Sequence, residues 1–269
     1  MTDNRNCITS ITPTICHLFG VTPPALSAAG PLDDVVRGAR ESLDGRPVAR
    51  CLLYAPDAIG RDVYYENGCF EDVRERAPLE VPLRSVYPPK TPVCFASMFT
   101  GAGPEGHGIR KYEKPVLACD TLFDALARAG KRVAIVAVAK SSIDRMFLGR
   151  PVDYYSEDYD PEVNARVKDL LARDEHDFIL AYHQEYDDLL HETRPDSPAA
   201  RQAVNNHIRS FVELADAAAE HWSAYDRVLT FSPDHGAHVD PATGRGDHGD
   251  DIPADMEVVH LFGLHPGAS

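Results

Sequence analysis

The hydrophobic positions of this chain gather into short, nearly continuous runs. Val48 to Tyr54, Arg132 to Val138, Phe178 to Tyr182, Arg227 to Phe231 and Val258 to Phe262 are mostly uninterrupted by polar residues. Runs of this length and kind predict strands covered on both faces. Between them the apolar spacing becomes helical, from Leu122 to Ala129 with Gly130 as the stop, from Pro161 to Ala172, and from Pro198 to about Trp222. Strands alternating with helices predict an α/β fold, a doubly wound, mostly parallel sheet flanked by helices. Near the start, Thr12-Pro13 predicts a helix N-cap and first helical residue, and Gly20 its end. The stretch from Gly60 to Pro89, rich in charge, proline and aromatics, predicts an irregular excursion within a single domain covering residues 1–269.

Composition narrows the function classes. With 43% hydrophobic and 26% charged residues the chain reads as a soluble globular protein with no disordered tract. A formal charge of -15 argues against a nucleic-acid polymer as partner, because such binding rests on a basic footprint. The same acidity suits cations, although an acidic surface is more often only solvated. Residues 1–6 lack a basic-then-apolar leader pattern, and no run approaches the roughly 18 apolar residues of a membrane span. The expectation is a cytoplasmic protein with no membrane partner; homo-oligomer formation stays open. Six cysteines (Cys7, Cys16, Cys51, Cys69, Cys94, Cys119) form no CxxC pair, so neither a zinc-thiolate site nor a disulfide framework is expected.

In an open parallel sheet, functional groups collect beyond the carboxyl ends of the strands. Asp57 follows the first run, Asp187 and His191 follow the third, and Asp234-His235-Gly236 follows the fourth. Aspartate and histidine suit Zn(II) or Mn(II). If residues 187–191 open a helix, Asp187 and His191 lie one turn apart and reach one ion together; a surface pair or a cap explains the same spacing. Pro92 at a first helical position makes Thr91 an N-cap, where unsatisfied N–H groups and the helix dipole favour a phosphate. The Thr91 hydroxyl is too weakly acidic to attack unaided, so a nearby metal has to activate it.

From about Leu52 to Phe262 the sequence resembles the alkaline phosphatase superfamily, which includes phosphatases, nucleotide pyrophosphatase/phosphodiesterases, phosphonoacetate hydrolases, phosphopentomutases and sulfatases. The resemblance rests on Thr91 standing nine residues before Thr100-Gly101 and ahead of Pro104-Glu105-Gly106-His107-Gly108-Ile109, and on Gly246-Asp247-His248-Gly249 before Ile252-Pro253. It implies an alkaline phosphatase-like fold with a two-metal site at the strand ends. Asp57, Thr91, Asp234 and His235 would hold the ion that activates the nucleophile, and Asp187, His191 and His248 its partner, with His238 competing for the last place. It further implies zinc, with manganese as the alternative, and a phosphothreonine intermediate on Thr91. His107 would buttress the nucleophile loop and His183 could support the ligands. His17, His176, His207, His221, His260 and His265 are better explained by packing or solvent.

Departures from the family pattern narrow the choice. The Cys-x-Pro-x-Arg of sulfatases is missing at Thr91-Pro92-Val93-Cys94, and the chain has no room for the large cap of the mutases. Val93 and Cys94 stand where the nucleotide pyrophosphatase pattern has proline and asparagine. Lys90, Arg110, Lys111 and Lys114 are candidate substrate contacts. The expected function is metal-dependent hydrolysis of a small phosphorylated substrate, a phosphoric mono- or diester or a phosphonate. The alternatives are a non-catalytic metal- or ligand-binding domain and a phosphomutase-type phosphoryl transferase.

Overall fold

The computed structural model describes residues 6–268; residues 1–5, which carry most of the start considered above, and residue 269 lie outside the described residues. The strands are β1 (Arg50–Pro56), β2 (Leu79–Arg84), β3 (Val133–Val138), β4 (Asp153–Glu157), β5 (Phe178–His183), β6 (Arg227–Phe231), β7 (His238–Val239), β8 (Gly246–Asp247) and β9 (Glu257–His265). Among the described residues, seven of them form one sheet in the order β2-β9-β6-β1-β5-β3-β4, while β7 and β8 pair as a small ribbon. The central pairs are parallel, β9 runs antiparallel to β6, and β2 runs antiparallel to β9.

The continuous apolar runs follow from burial on both faces. Along β1, Cys51, Leu53 and Ala55 enter the core on one side of the sheet, and Leu52 and Tyr54 enter the core on the other. Helices Ile11–Phe19, Thr91–Thr100 and Leu122–Arg128 cover the first face. Helices Asp160–Arg173 and Pro198–His221 cover the second. A strand buried on both faces has no polar side to display, so alternation is lost. No helix among the described residues is long and apolar enough to cross a membrane.

Several local expectations are corrected. The stretch 60–89 is not an irregular excursion: it holds helices Arg61–Glu66 and Glu71–Arg76 and then β2, the sheet's edge strand. Pro82 concealed that strand, yet proline is tolerated where one side of the ladder has no partner. β4, with its half-exposed pattern, was also unrecognised. The first helix starts at Ile11 after a 3-10 turn from Ile8, ahead of Thr12, while Gly20 ends it in a left-handed conformation as expected. Thr91 is the first residue of its helix, and Lys90 occupies the cap position.

Candidate active site and metal centre

The three central strands β6, β1 and β5 deliver the acidic groups side by side. Asp57 lies immediately beyond β1, Asp234 lies just beyond β6, and helix Glu185–Glu192 opens just after β5. The strand ends are tied to one another, with Asp57 N donating to His183 O at 2.9 Å and Ser232 N to Tyr54 O at 2.8 Å. Ala58 takes a left-handed conformation (φ 63°) and turns its N–H onto Asp234 Oδ1 at 3.2 Å. A non-glycine residue held there stores local strain, which sites of this kind tolerate.

Two groups of potential ligands result. Asp57, Asp234 and His235 form one, and Asp187, His191 and His248 the other; in each, one ligand atom from every residue lies within 4.8 Å of the others. In the inner group, His235 Nε2 is 3.4 Å from Asp57 Oδ1 and 3.3 Å from Asp234 Oδ2. Thr91 Oγ1 lies 3.4 Å from Asp57 Oδ1 and 3.4 Å from His235 Nε2. In the outer group, Asp187 Oδ1 is 3.4 Å from Nε2 of both His191 and His248, and those two Nε2 atoms are 3.1 Å apart. The groups meet where the His235 and His248 rings stack at 4.0 Å. All seven residues singled out from the sequence are therefore brought together. His238 is not among them; it pairs with Asp255 at 2.8 Å.

The electrostatics of the two groups differ. Burial, then the charges of Asp234 and Asp187, pushes the Asp57 carboxyl well above its usual range. Burial, then Asp187, does the same to Asp234, and burial, then the charge of His248, holds His235 well below the ordinary imidazole value. In the outer group burial also acts to raise Asp187, yet His191 and His248 beside it pull it below the ordinary carboxylate range. Asp187 in turn raises His191. Asp187 Oδ1 and Asp234 Oδ2 are buried with no hydrogen-bond partner of proper geometry. Buried carboxylate oxygens left in that state call for a cation or a proton.

A cleft of about 250 Å³ opens at the centre, lined by Asp57, Thr91 and Asp187 together with Lys114, Lys140 and Ser142. Tyr182 and Gln184 also line it, and Tyr182 donates to Asp57 Oδ2 at 2.5 Å. Lys140 was missed in the sequence, although the strand-end rule applied to β3 points to it directly. Among the other basic candidates, Lys114 lines the cleft and donates to Lys140 O at 3.2 Å. Lys90 donates to His248 O and lies 3.4 Å from Asp247. Arg110 and Lys111 are exposed partners of Glu105 and Glu113.

The supporting histidines sort themselves by burial. His107 is 2.8 Å from Ser97 Oγ and accepts Ile109 N–H, bracing the helix that carries Thr91. His207 accepts Tyr186 N–H and contacts the Tyr54 hydroxyl, below the Asp187 helix. His183 stacks on Tyr54 and, beyond its backbone bond to Asp57, touches no ligand through its ring nitrogens, which have no partner. The helix end at Thr91 offers fewer N–H groups than expected, since Val93 and Cys94 already donate to Lys90 O and Pro92 has none.

A family model described as type I phosphodiesterase / nucleotide pyrophosphatase matches residues 76–261. Among solved structures, the chain resembles murine ectonucleotide pyrophosphatase / phosphodiesterase 5, with TM-score 0.56 and 18% identity over 70% of this chain and 57% of that one. It also resembles phosphonoacetate hydrolase from Sinorhizobium meliloti, solved with phosphonoformate, with TM-score 0.50 and 22% identity over 72% and 59%. The C-terminal periplasmic domain of phosphoethanolamine transferase EptC from Campylobacter jejuni gives TM-score 0.58 and 16% identity over 80% and 79%. These likenesses establish the alkaline phosphatase-like fold. The chain spans less than three-fifths of the first two of these structures. No curated protein matches its sequence.

Proposed function

The chain belongs to the type I phosphodiesterase / nucleotide pyrophosphatase family, and on that basis we propose that it hydrolyses a small phosphoric ester or phosphonate, with Thr91 as the nucleophile between two divalent cations. One observation carries the reading: the buried Thr91 hydroxyl stands 3.4 Å from both Asp57 and His235, at the edge of the cleft. The residues fit two cations, because each group presents a buried carboxylate oxygen with no hydrogen-bond partner beside imidazole nitrogens. Asp57, Thr91, Asp234 and His235 would hold one ion, and Asp187, His191 and His248 the other, with Zn(II) first and Mn(II) second by ligand type. Bound there, the cations would make the hydroxyl acidic enough to react at neutral pH and offset the charge of three aspartates.

The chain's own residues supply the rest. Thr91 Oγ1, its proton lost to solvent, forms the new bond to phosphorus while the ester oxygen, or the carbon of a phosphonate, leaves with the bonding pair and takes up a proton from solvent, giving a phosphorylated Thr91. Water then attacks that phosphorus, threonine regains its hydroxyl, and phosphate departs, or a phosphomonoester where the substrate was a diester. Tyr182, donating to Asp57 Oδ2, keeps the other oxygen of Asp57 turned toward Thr91. Lys114 and Lys140, which line the same cleft, would orient an anionic substrate.

The test is hydrolysis of nitrophenyl phosphate, bis-nitrophenyl phosphate and phosphonoacetate by protein loaded with zinc or manganese, alongside Thr91→Ala and metal content. Turnover that needs metal and is lost in Thr91→Ala supports the proposal. Two bound metals with no turnover of any substrate would instead favour a binding domain.

A further inference from the structure

Each ligand group contributes a histidine followed by glycine, His235-Gly236 just beyond β6 and His248-Gly249 just beyond β8. Both steps are tied to one residue that belongs to neither group. Asp255 is fully buried in the short helix Pro253–Met256. Its Oδ2 accepts Gly249 N–H at 2.8 Å and Asp250 N–H at 2.9 Å, and its Oδ1 accepts His238 Nδ1–H at 2.8 Å. Its backbone carbonyl accepts Gly236 N–H at 2.9 Å. A carboxylate with three donors is satisfied where it stands and has no need of a cation.

Close packing turns these bonds into a positional constraint. A Cβ on Gly236 would come within 2.0 Å of Ala254 O, and one on Gly249, at φ +129°, within 2.5 Å of Lys90 Cε. The chain is therefore pressed against the Asp255 helix at Gly236, while at Gly249 it is packed on the Lys90 side chain and held to Asp255 by the N–H bond to Oδ2. His238 begins the β7–β8 ribbon that leads to His248, so the two carboxylate oxygens grip that ribbon near its start and just past its end. The side chain acts on the step that carries His248, and the backbone carbonyl acts on the step that carries His235.

We propose that Asp255 is a positioning residue that sets the spacing of the two ligand groups, with its carboxylate aiming His248 at the outer site. The proposal rests on the two-cation reading above. Because only the carboxylate differs in a side-chain variant, its loss acts on one site and spares the other. Groups that hold metal ligands in place are typically worth about 10–100-fold in affinity.

The experiment loads purified protein with Co(II) and follows visible absorption and stoichiometry against a chelating dye. Asp255→Asn keeps the volume but presents an amide that cannot accept on both sides. It should keep one cobalt at wild-type affinity, bind the second about 10–100-fold more weakly with an altered visible band, and lose kcat with KM little changed. Asp251→Asn, on an exposed neighbour paired with Arg84, is the control and should match the wild type. If Asp255→Asn does not fold, His238→Gln carries the test, and a smaller loss at the second cobalt alone supports the proposal. Unchanged binding of both ions in a folded variant, or equal weakening of both, overturns it. A wild-type protein that takes up fewer than two cobalt ions overturns the two-cation reading, and the positioning role with it.

Discussion

The inner and outer ligand groups use the same residue types and reach opposite electrostatic states. Asp57, Asp234 and His235 are fully buried beyond the ends of the central strands β1 and β6, two acids and one imidazole that burial keeps neutral. Their carboxylates are pushed up by burial and by one another. Asp187 is one acid between two imidazoles, one of them partly exposed, and it is held below its ordinary value. The inner group therefore depends on a cation to be stable in its ionised form, while the outer group is partly neutralised by its own histidines. That division fits a nucleophile on the inner side and access for water on the outer side.

The largest effect expected is at Thr91. Thr91→Ala should lower turnover by on the order of 10⁴-fold while the metal content stays the same. A variant with near wild-type rates would show that the outer group works without the inner nucleophile, which breaks the assigned division.

Next in size are ligand substitutions in the two groups. Asp234→Asn should weaken metal binding by more than the roughly 100-fold that loss of a supporting partner costs, whereas His191→Gln should fall within about 10–100-fold. The metal-free proteins should order the other way. Asp234→Asn removes a buried acid that, without metal, is either forced to take up a proton or held ionised beside Asp57 and Asp187, so it should raise the Tm by a few degrees, about 2–4 °C for each kcal/mol relieved. His191→Gln should leave the metal-free Tm unchanged or lower it. Calorimetry after chelation measures both, and equal shifts would erase the contrast.

How much of this was legible in the sequence depends on which physical signal each residue leaves. β1, β3, β5, β6 and β9 announced themselves because burial on two faces demands unbroken apolar runs. β2 and β4 are sheet edges, so Pro82 and the half-exposed Asp153–Glu157 are permitted there and the pattern is lost. Asp57, Asp187, His191, Asp234 and His235 were legible for a related reason, since they come soon after clear runs, whereas His248 follows the two-residue β8 and was indicated only by the family resemblance. Lys140 also comes soon after a clear run, β3, but a lone lysine there carries no ligand chemistry to mark it. Asp255 left no periodic or motif signal, since its bonds join the nearby Gly249 and Asp250 to Gly236 and His238 from further back in the chain.

A smaller effect sharpens the comparison on the cleft side. Lys140 lines the same cleft as Asp57, Thr91 and Asp187, so Lys140→Ala should raise KM for a dianionic monoester by about tenfold, a loss near 1.4 kcal/mol, with kcat nearly unchanged. The KM for a diester, with one less charge, should move less. Equal changes for both substrates would remove the lysine from anion recognition.

The smallest effect asks whether the contrast lies in the ligands or in the scaffold beneath them. Each group stands on its own buried histidine: His107 braces the Thr91 helix, and His207 holds Tyr186 at the start of the Asp187 helix. Burial lowers both, each to about 4 from an ordinary 6.5. The unfolded chain then takes up protons that the folded chain refuses, so stability falls as pH drops from about 6.5 toward about 4. For each histidine the loss between about pH 7 and about pH 5 is about 2 kcal/mol at most. His107→Gln and His207→Gln, compared with the wild type by urea unfolding of the metal-free protein, should each flatten that slope by a similar amount. Similar flattening would locate the asymmetry in the ligands. If His107→Gln alone removed the slope, the inner side would owe its distinct character to its support as well as to its acids.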